Sequence, residues 1–423
     1  MVVLGRLLAM IMAVSYSYFG YVDVIGPYSL GIISVGCLSL VLGFLQLATR
    51  QVSLHKVFIL VLVIGFLLIW LDALINGYLS MRVVKQFVTP VVVFFCAYGI
   101  SRFLNFTISF LYFFSGVIVV SCLVAVLQGL NIDMGWDLRY AFPVSDDKMV
   151  EYQLANKLKP AGLAFYAVQL GYQMVLGCLL ILAVNSVDER DVSKRLVTFG
   201  LSSILIAAAV GSNLSALVSV LITVYFYFRS QRKFKFRIKS VVIVVLTLTM
   251  VLISPIGERI LTIDASMLSR VTYTVVGAIL IFNNPFGVEI AHVYEKKLEV
   301  VNQLGAGNFT MLEDILDMGF HNSFLNVGVQ LGWLGILLYI FFYFYLVRHY
   351  FSLIKNKSAI QSKLGSVGFA SMLGYFIQVI THNAGPFNLD IYFWIGNGLL
   401  LGLISKTRHK SLISIKEGHR IVV

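Results

Sequence analysis

Residues able to do chemistry are few in this chain, and they stand alone. There are seven histidines, and His292, His321 and His382 are not at ligand spacing from one another. No His-x-x-x-His or Cys-x-x-Cys pair occurs, so the sequence contains no zinc pattern. A Walker loop and a dinucleotide fingerprint are also missing. Cys37, Cys96, Cys122 and Cys178 each sit inside an apolar run and read as small core hydrophobes. The remaining candidates border polar stretches. His321 stands where a polar stretch turns into an apolar run, so it either packs as a helix-start histidine or takes a proton near neutral pH. Arg270, Arg139 and Lys159 are either ordinary anchors and loop charges or cations for an anionic ligand, arginine being suited to two-pronged phosphate binding. Asn322 reads first as a helix cap. His382, followed by Asn383, lies in the last polar gap and would line the same cavity as His321 if the two gaps share a face.

The elements that must position these residues are membrane helices. Hydrophobic residues fill 59% of 423 positions and charged ones 12%, too little charge to cover a soluble surface. Spanning the hydrocarbon takes about 20 apolar residues as a helix, or fewer inside a bundle. Spans are therefore expected near 3–21, 28–48, 57–75, 87–100, 107–130, 161–186, 196–210, 214–228, 241–254, 323–347, 364–381 and 391–404. The run Leu4 to Tyr21 lacks a charged leader and a small-residue cleavage site, and reads as a retained first span. The expected fold is one all-α polytopic membrane domain over 1–423, with twelve transmembrane helices.

Charge chooses the orientation. One alternating set of connections carries 21 of the 32 basic residues, six of them in 229–239, while the opposite set carries ten. Positive residues collect on the cytoplasmic side, so both termini are expected there, in a bacterial inner membrane. Sixteen of the 20 acids fall on the opposite side. The net +12 is thus a topology signal. The basic segment 229–239, with Phe234 and Phe236, reads as a headgroup contact and not as a nucleic-acid patch.

Two long connections are expected on the outer, periplasmic face: 131–160 and 255–321. Long ordered connections in a compact protein tend to carry function; the plainer reading is that they cap the bundle. Within the second, Arg270 to Phe282 is short for a span, and Asn283-Asn284-Pro285-Phe286-Gly287 follows as a turn. A crossing there would invert the charge alternation downstream, so a re-entrant or interfacial helix is expected. No cytoplasmic segment is large enough for a nucleotide-binding domain, and no repeat with matched broken helices is visible.

The stretch His321-Asn322-Ser323-Phe324-Leu325, followed by Gly328, Gly332 and Gly335, resembles the signature of the O-antigen ligase and polymerase superfamily. In that superfamily such a motif ends the large periplasmic loop and opens the next helix. Arg270 with Asn284-Pro285-Phe286-Gly287-Val288 is similar to a second pattern in the same loop, and Lys159-Pro160-Ala161-Gly162-Leu163 to a third that leads into a middle span. The chain departs from the pattern at Gly211-Ser212-Asn213, where the family usually has Ser-Arg; Arg139 or Lys159 would have to supply that charge.

The resemblance implies a membrane-embedded glycosyltransferase of GT-C type, acting at the periplasmic face without metal or other cofactor. It would join undecaprenyl-pyrophosphate-linked oligosaccharides, as an O-antigen repeat-unit polymerase in lipopolysaccharide biosynthesis. On this reading His321 is the catalytic base, and Arg270, Lys159, Arg139, Asn322 and His382 contact pyrophosphate or substrate. Its partners would be the lipid-linked donor and acceptor, membrane lipid and a chain-length-regulating membrane protein, with no nucleic acid. Alternatives within the resemblance are a ligase to lipid A core and a capsule or exopolysaccharide polymerase. A lipid-oligosaccharide flippase or transporter is the alternative from another class; it calls for charge near the bilayer midplane, and Asp72, the main candidate, lies close to the outer end of its span.

Overall fold

The apolar runs fold as helices. A computed structural model describes residues 1–19, 23–25, 28–48, 56–78, 81–104, 106–142, 148–188, 190–211, 213–231, 265–304, 320, 322–356, 358–382, 385–387 and 390–420, with backbone alone for 23–25, 28–30, 47–48, 58, 81–86, 148–150, 265–271 and 408–420. In chain order, α1 (Val2–Val14) continues as a π-helix over Ser15–Phe19, and a two-stranded hairpin, β1 (Asp23–Ile25) and β2 (Tyr28–Ser29), follows. Next come α2 (Leu30–Ala48), α3 (Lys56–Asn76), α4 (Met81–Phe103) and α5 (Thr107–Gly129). Two short helices, α6 (Asp133–Tyr140) and α7 (Lys148–Ala155), precede α8 (Ala167–Val187), α9 (Asp191–Val210) and α10 (Leu214–Ser230). Beyond 232–264 lie α11 (Ala265–Asn283), a 3-10 turn at Ile290–His292, α12 (Val293–Gln303), α13 (Ser323–Ile354), α14 (Ala359–Thr381) and α15 (Ile391–Arg420).

Among the described residues, seven helices are long and apolar enough to cross a membrane: α1 with its π-turn, most of α3, α5, α8, α9, α13 and α14. The 23 residues of α5 reach about 34 Å at 1.5 Å each, beyond the roughly 30 Å hydrocarbon thickness. Large apolar side chains such as Phe44, Phe66 and Phe344 stand outward on the bundle, as lipid contact requires and as a soluble protein avoids. The chain is a helical, multi-pass membrane protein. Eleven of the twelve expected spans fall on described helices, and 241–254 lies outside the described residues.

The centre of the bundle is α8. It touches α5, α9, α10, α14 and α15, and 89% of it is buried, which fits a helix apolar on all sides. Around it, α4 runs against α15, and α14 lies between α10 and α13.

Segment 131–160, expected as one long connection, contains two short helices, α6 and α7, whose eight residues each are too few for a readable apolar period. Two expectations need correction. The span expected from 161 starts as a helix only at Ala167, because 160–166 is a pinned loop described below. Cys37 is exposed on α2 and is no core residue, whereas Cys96, Cys122 and Cys178 are buried.

Candidate functional site

Two of the sequence motifs interlock through their backbones. Gly332 breaks α13 with φ 64° and ψ −162°, a conformation essentially confined to glycine. Into that break fits the turn Asn284–Val288. Trp333 N–H donates to the Pro285 carbonyl at 2.9 Å, and Val288 N–H donates to the Val329 carbonyl at 2.8 Å. The turn itself has Gly287 at φ 98°. A helix break frees donors and acceptors that must be satisfied inside a membrane, and here the turn from the adjacent connection satisfies them.

The start of α13 is held as tightly. The Asn322 side chain accepts from Phe324 N–H at 2.9 Å and from Leu325 N–H at 3.3 Å, the helix cap expected of it. Asn326 reaches back across the preceding turn. Its Oδ1 accepts from Phe320 N–H at 3.1 Å and its Nδ2 donates to the Phe320 carbonyl at 2.8 Å. His321 lies outside the described residues. Arg270 is on α11; its side chain is likewise outside the described ones. The Phe320 ring packs at Gly277 of α11, 3.0 Å from where a β-carbon would stand. Seven residues separate positions 270 and 277, so they share a helix face about 10 Å apart.

The last polar gap joins this region to the rest of the bundle end. Ser323 is buried and hydrogen-bonded to the Tyr339 hydroxyl at 3.1 Å, and a β-carbon on Gly385 would collide with both hydroxyls. Asp390 N–H donates to the Gly385 carbonyl. Asp390 itself precedes α15. It caps that helix through Tyr392 N–H at 2.9 Å and accepts from the Tyr375 hydroxyl. Burial pushes its carboxyl up to about 6, against the lowering effect of the Tyr375 hydroxyl and of the Phe393 and Tyr392 N–H groups.

At the other end of the same gap, His382 Nε2 lies 2.7 Å from the Ser215 hydroxyl, and its ring centroid is 5.8 Å from that of Tyr172. Ser215 donates to Asn213 at 3.1 Å, and Asn213 caps α10 through Ala216 N–H at 3.2 Å while donating to the Ala167 carbonyl. Asn213 occupies the position where the resembling family has arginine. Lys159 is close by in the fold, since Pro160 packs at Gly211, and Lys159 is exposed.

The Lys159–Leu163 motif is a backbone device. Gly162 has φ 60°, and a β-carbon there would stand 2.3 Å from the Ser121 carbonyl oxygen. Gln128 Oε1 accepts from both Ala161 N–H and Gly162 N–H at 2.9 Å. Arg139 is fully buried beside it and donates to the Phe142 carbonyl at 3.0 Å and the Phe165 carbonyl at 3.1 Å. Burial lowers its guanidinium to about 10, so it remains charged at neutral pH. The described contacts of Arg139 thus tie loop to loop.

Beneath these groups polar side chains continue inward. Gln169 donates to the Tyr392 hydroxyl at 2.6 Å and to the Tyr16 carbonyl at 3.1 Å, and Gln173 donates to the Ser17 carbonyl at 2.7 Å. Tyr16 and Ser17 belong to the π-helical turn, whose altered bonding leaves such carbonyls to outside donors. A cavity of about 20 Å³, room for one water, is lined by Tyr172, Tyr375, Tyr392 and Asn397 among others.

The structure therefore brings the start of α13, His382, Asn213 and the Lys159 loop to one end of the bundle. Sequence reasoning missed Ser215, Asp390 and Tyr375. Asp390 had a signal, an acidic residue directly before an apolar run. Among the described residues, no three His, Cys, Asp or Glu side chains gather as metal ligands. No protein-family model and no curated protein matches this chain.

Proposed function

We propose that this chain is a repeat-unit polysaccharide polymerase of O-antigen type, working at the periplasmic face of a bacterial inner membrane. The observation that carries the reading is the convergence of the three resembling motifs on one bundle end. The Asn284–Val288 turn seats in the Gly332 break, Ser323 meets Gly385, and Pro160 packs at Gly211, two residues before Asn213.

In the proposed reaction the acceptor hydroxyl oxygen attacks the anomeric carbon of the donor glycan. The bond from that carbon to the pyrophosphate oxygen breaks, and undecaprenyl pyrophosphate leaves with the electron pair. His321 takes the hydroxyl proton as the glycosidic bond forms, a role for which its intrinsic pKa is suited. Arg270 offsets the phosphate charge that develops on the leaving group. His382, held by Ser215, lines the acceptor side.

The test is polymerisation in a complemented strain with membrane levels checked by immunoblot. His321→Ala is expected to lower transfer by at least about a hundredfold, the usual worth of a general base. His321→Gln, which keeps a hydrogen bond but cannot take the proton, is expected to fail nearly as badly. Normal polymer from His321→Ala would remove the main support for this reading.

A second reading, a lipid-oligosaccharide transporter, is favoured by one observation. Asp72 is fully buried in α3, its Oδ1 accepting a long 3.4 Å bond from Gln330 and its Oδ2 without a partner among the described residues. A buried carboxyl in a span is a common mark of a transport path. Proteoliposomes that move a fluorescent lipid-linked oligosaccharide between leaflets without lengthening it would favour that reading over polymerisation.

A further inference from the structure

A groove lies at the bundle end opposite His382 and the Lys159 loop. Chain direction fixes its place: Val187 ends α8, whose start follows that loop, and Ile360 lies at the start of α14, whose last residue precedes His382. With Ile108 of α5 and Leu403 of α15, these two side chains wall a cavity of about 320 Å³. That is the size of a small-molecule site. Ile108 is 37% and Ile360 42% exposed, so the cavity opens on the outer surface of the bundle, which in a membrane-spanning protein meets lipid.

The rest of the lining is polar or cationic. Thr107 and Ser109 stand in the first turn of α5, and Lys406 and Thr407 follow Leu403 by one turn on α15. Phe106, the residue before α5, offers no capping side chain, and the N–H groups of Thr107, Ile108 and Ser109 meet no acceptor among the described residues. Arg6 adds a second cation. Its Cζ lies 5.5 Å from the centre of the Phe106 ring, which also lines the groove, and it donates long 3.4 Å bonds to the Leu104 carbonyl. Lys406 interacts elsewhere in the fold as well, and its charge acts on the groove as a field whichever atoms its ammonium touches. The described lining holds no acid. Asp188, which follows Val187, is engaged by Arg190 at 2.6 Å and by the Tyr112 hydroxyl at 3.0 Å.

These two kinds of lining call for one amphiphile. Water satisfies free N–H groups but gains nothing from apolar walls, and a bare hydrocarbon chain leaves the donors and the positive charge unmatched. We infer that this groove binds an anionic phospholipid of the surrounding bilayer. Its phosphate sits at the start of α5, where Arg6 and Lys406 supply the positive charge, and an acyl chain lies along Ile108, Val187, Ile360 and Leu403. The inference does not depend on the polymerase reading, because the groove is at the far end of the bundle from the candidate site.

The test is native mass spectrometry of the purified full chain in detergent, titrated with dioctanoyl phosphatidylglycerol, dioctanoyl phosphatidylcholine and glycerol 3-phosphate. Wild type is expected to bind the phosphatidylglycerol at least about fivefold more tightly than the phosphatidylcholine, the worth of one basic residue near a headgroup, and glycerol 3-phosphate not measurably. Lys406→Gln and Arg6→Gln are each expected to lower phosphatidylglycerol binding by about fivefold and to leave phosphatidylcholine within about twofold. Arg195→Gln removes an exposed cation of the same bundle end outside the groove, and is expected to change neither. A diazirine-bearing phosphatidylglycerol is expected to label wild-type peptides containing 106–109 and 403–407, a readout that needs no variant to fold. Equal binding of the two lipids, an undiminished preference in Lys406→Gln and Arg6→Gln, an equal loss in Arg195→Gln, or label confined to other segments would overturn the inference. Tight binding of glycerol 3-phosphate would overturn it too, since a soluble anion would then suffice.

Discussion

Gly287 and Gly332 face each other backbone to backbone. A β-carbon on Gly332 would stand 2.7 Å from the Gly287 nitrogen, and one on Gly287 would stand 3.1 Å from the Gly332 nitrogen. Both have positive φ, so each would be strained by a side chain as well as obstructed. Gly332→Ala is expected to destabilise the protein by at least about 1–3 kcal/mol, from backbone strain alone. The control is Gly116→Ala in α5, where a β-carbon meets nothing within 4 Å. That change is expected to be neutral or to stabilise by up to about 1 kcal/mol. Thermal unfolding in detergent checks both, and equal behaviour of the two variants would contradict the interlock.

Arg270→Ala is expected to abolish polymer, and Arg270→Lys to be severely impaired, because a lysine cannot make two parallel hydrogen bonds to a phosphate. Polysaccharide length on gels, at matched membrane levels, is the measurement. Full-length polymer from Arg270→Ala would remove this residue from the site.

Asp390 makes stability depend on pH between about 4 and 6. Its carboxyl titrates at about 6 in the folded protein, above the roughly 3.9 of an unfolded chain. The folded state therefore holds the proton where the unfolded state has lost it. Stability is highest below about pH 4 and falls as pH rises to about 6, by a total on the order of 3 kcal/mol for this group. Asp390→Asn keeps the helix cap and the acceptor for Tyr375 without the charge. It is expected to flatten that dependence and to match or exceed wild-type stability at pH 7. A wild-type profile that Asp390→Asn leaves unchanged between pH 4 and 7 would refute the assignment.

Orientation rests on the uneven distribution of basic residues. Phosphatase fusions ending at Lys148 and at Lys297 are expected to be active, with green fluorescent protein fusions at the same sites dark. Cytoplasmic fluorescence from either would invert the topology and remove the proposed periplasmic mechanism.

Helical segments were readable without coordinates because they depend on local composition. Transfer of an apolar run from water to hydrocarbon favours a helix wherever about 20 such residues occur together, and the run itself states its length. The cap at Asn322 was readable for the same reason, since its partners Phe324 and Leu325 are two and three residues away. Boundaries failed where a distant group intervened, as Gln128 and Ser121 do in holding 161–163 out of the helix. Which residues meet was decided by packing alone. Ser215 and His382 are 167 residues apart, and nothing in either neighbourhood names the other. Lys296 and Lys297 show the limit most directly: adjacent and identical, one faces out to Glu299 and the other faces Phe320. A helix turns successive residues by about 100°, and only the neighbours packed around α12 determine which of the two is buried.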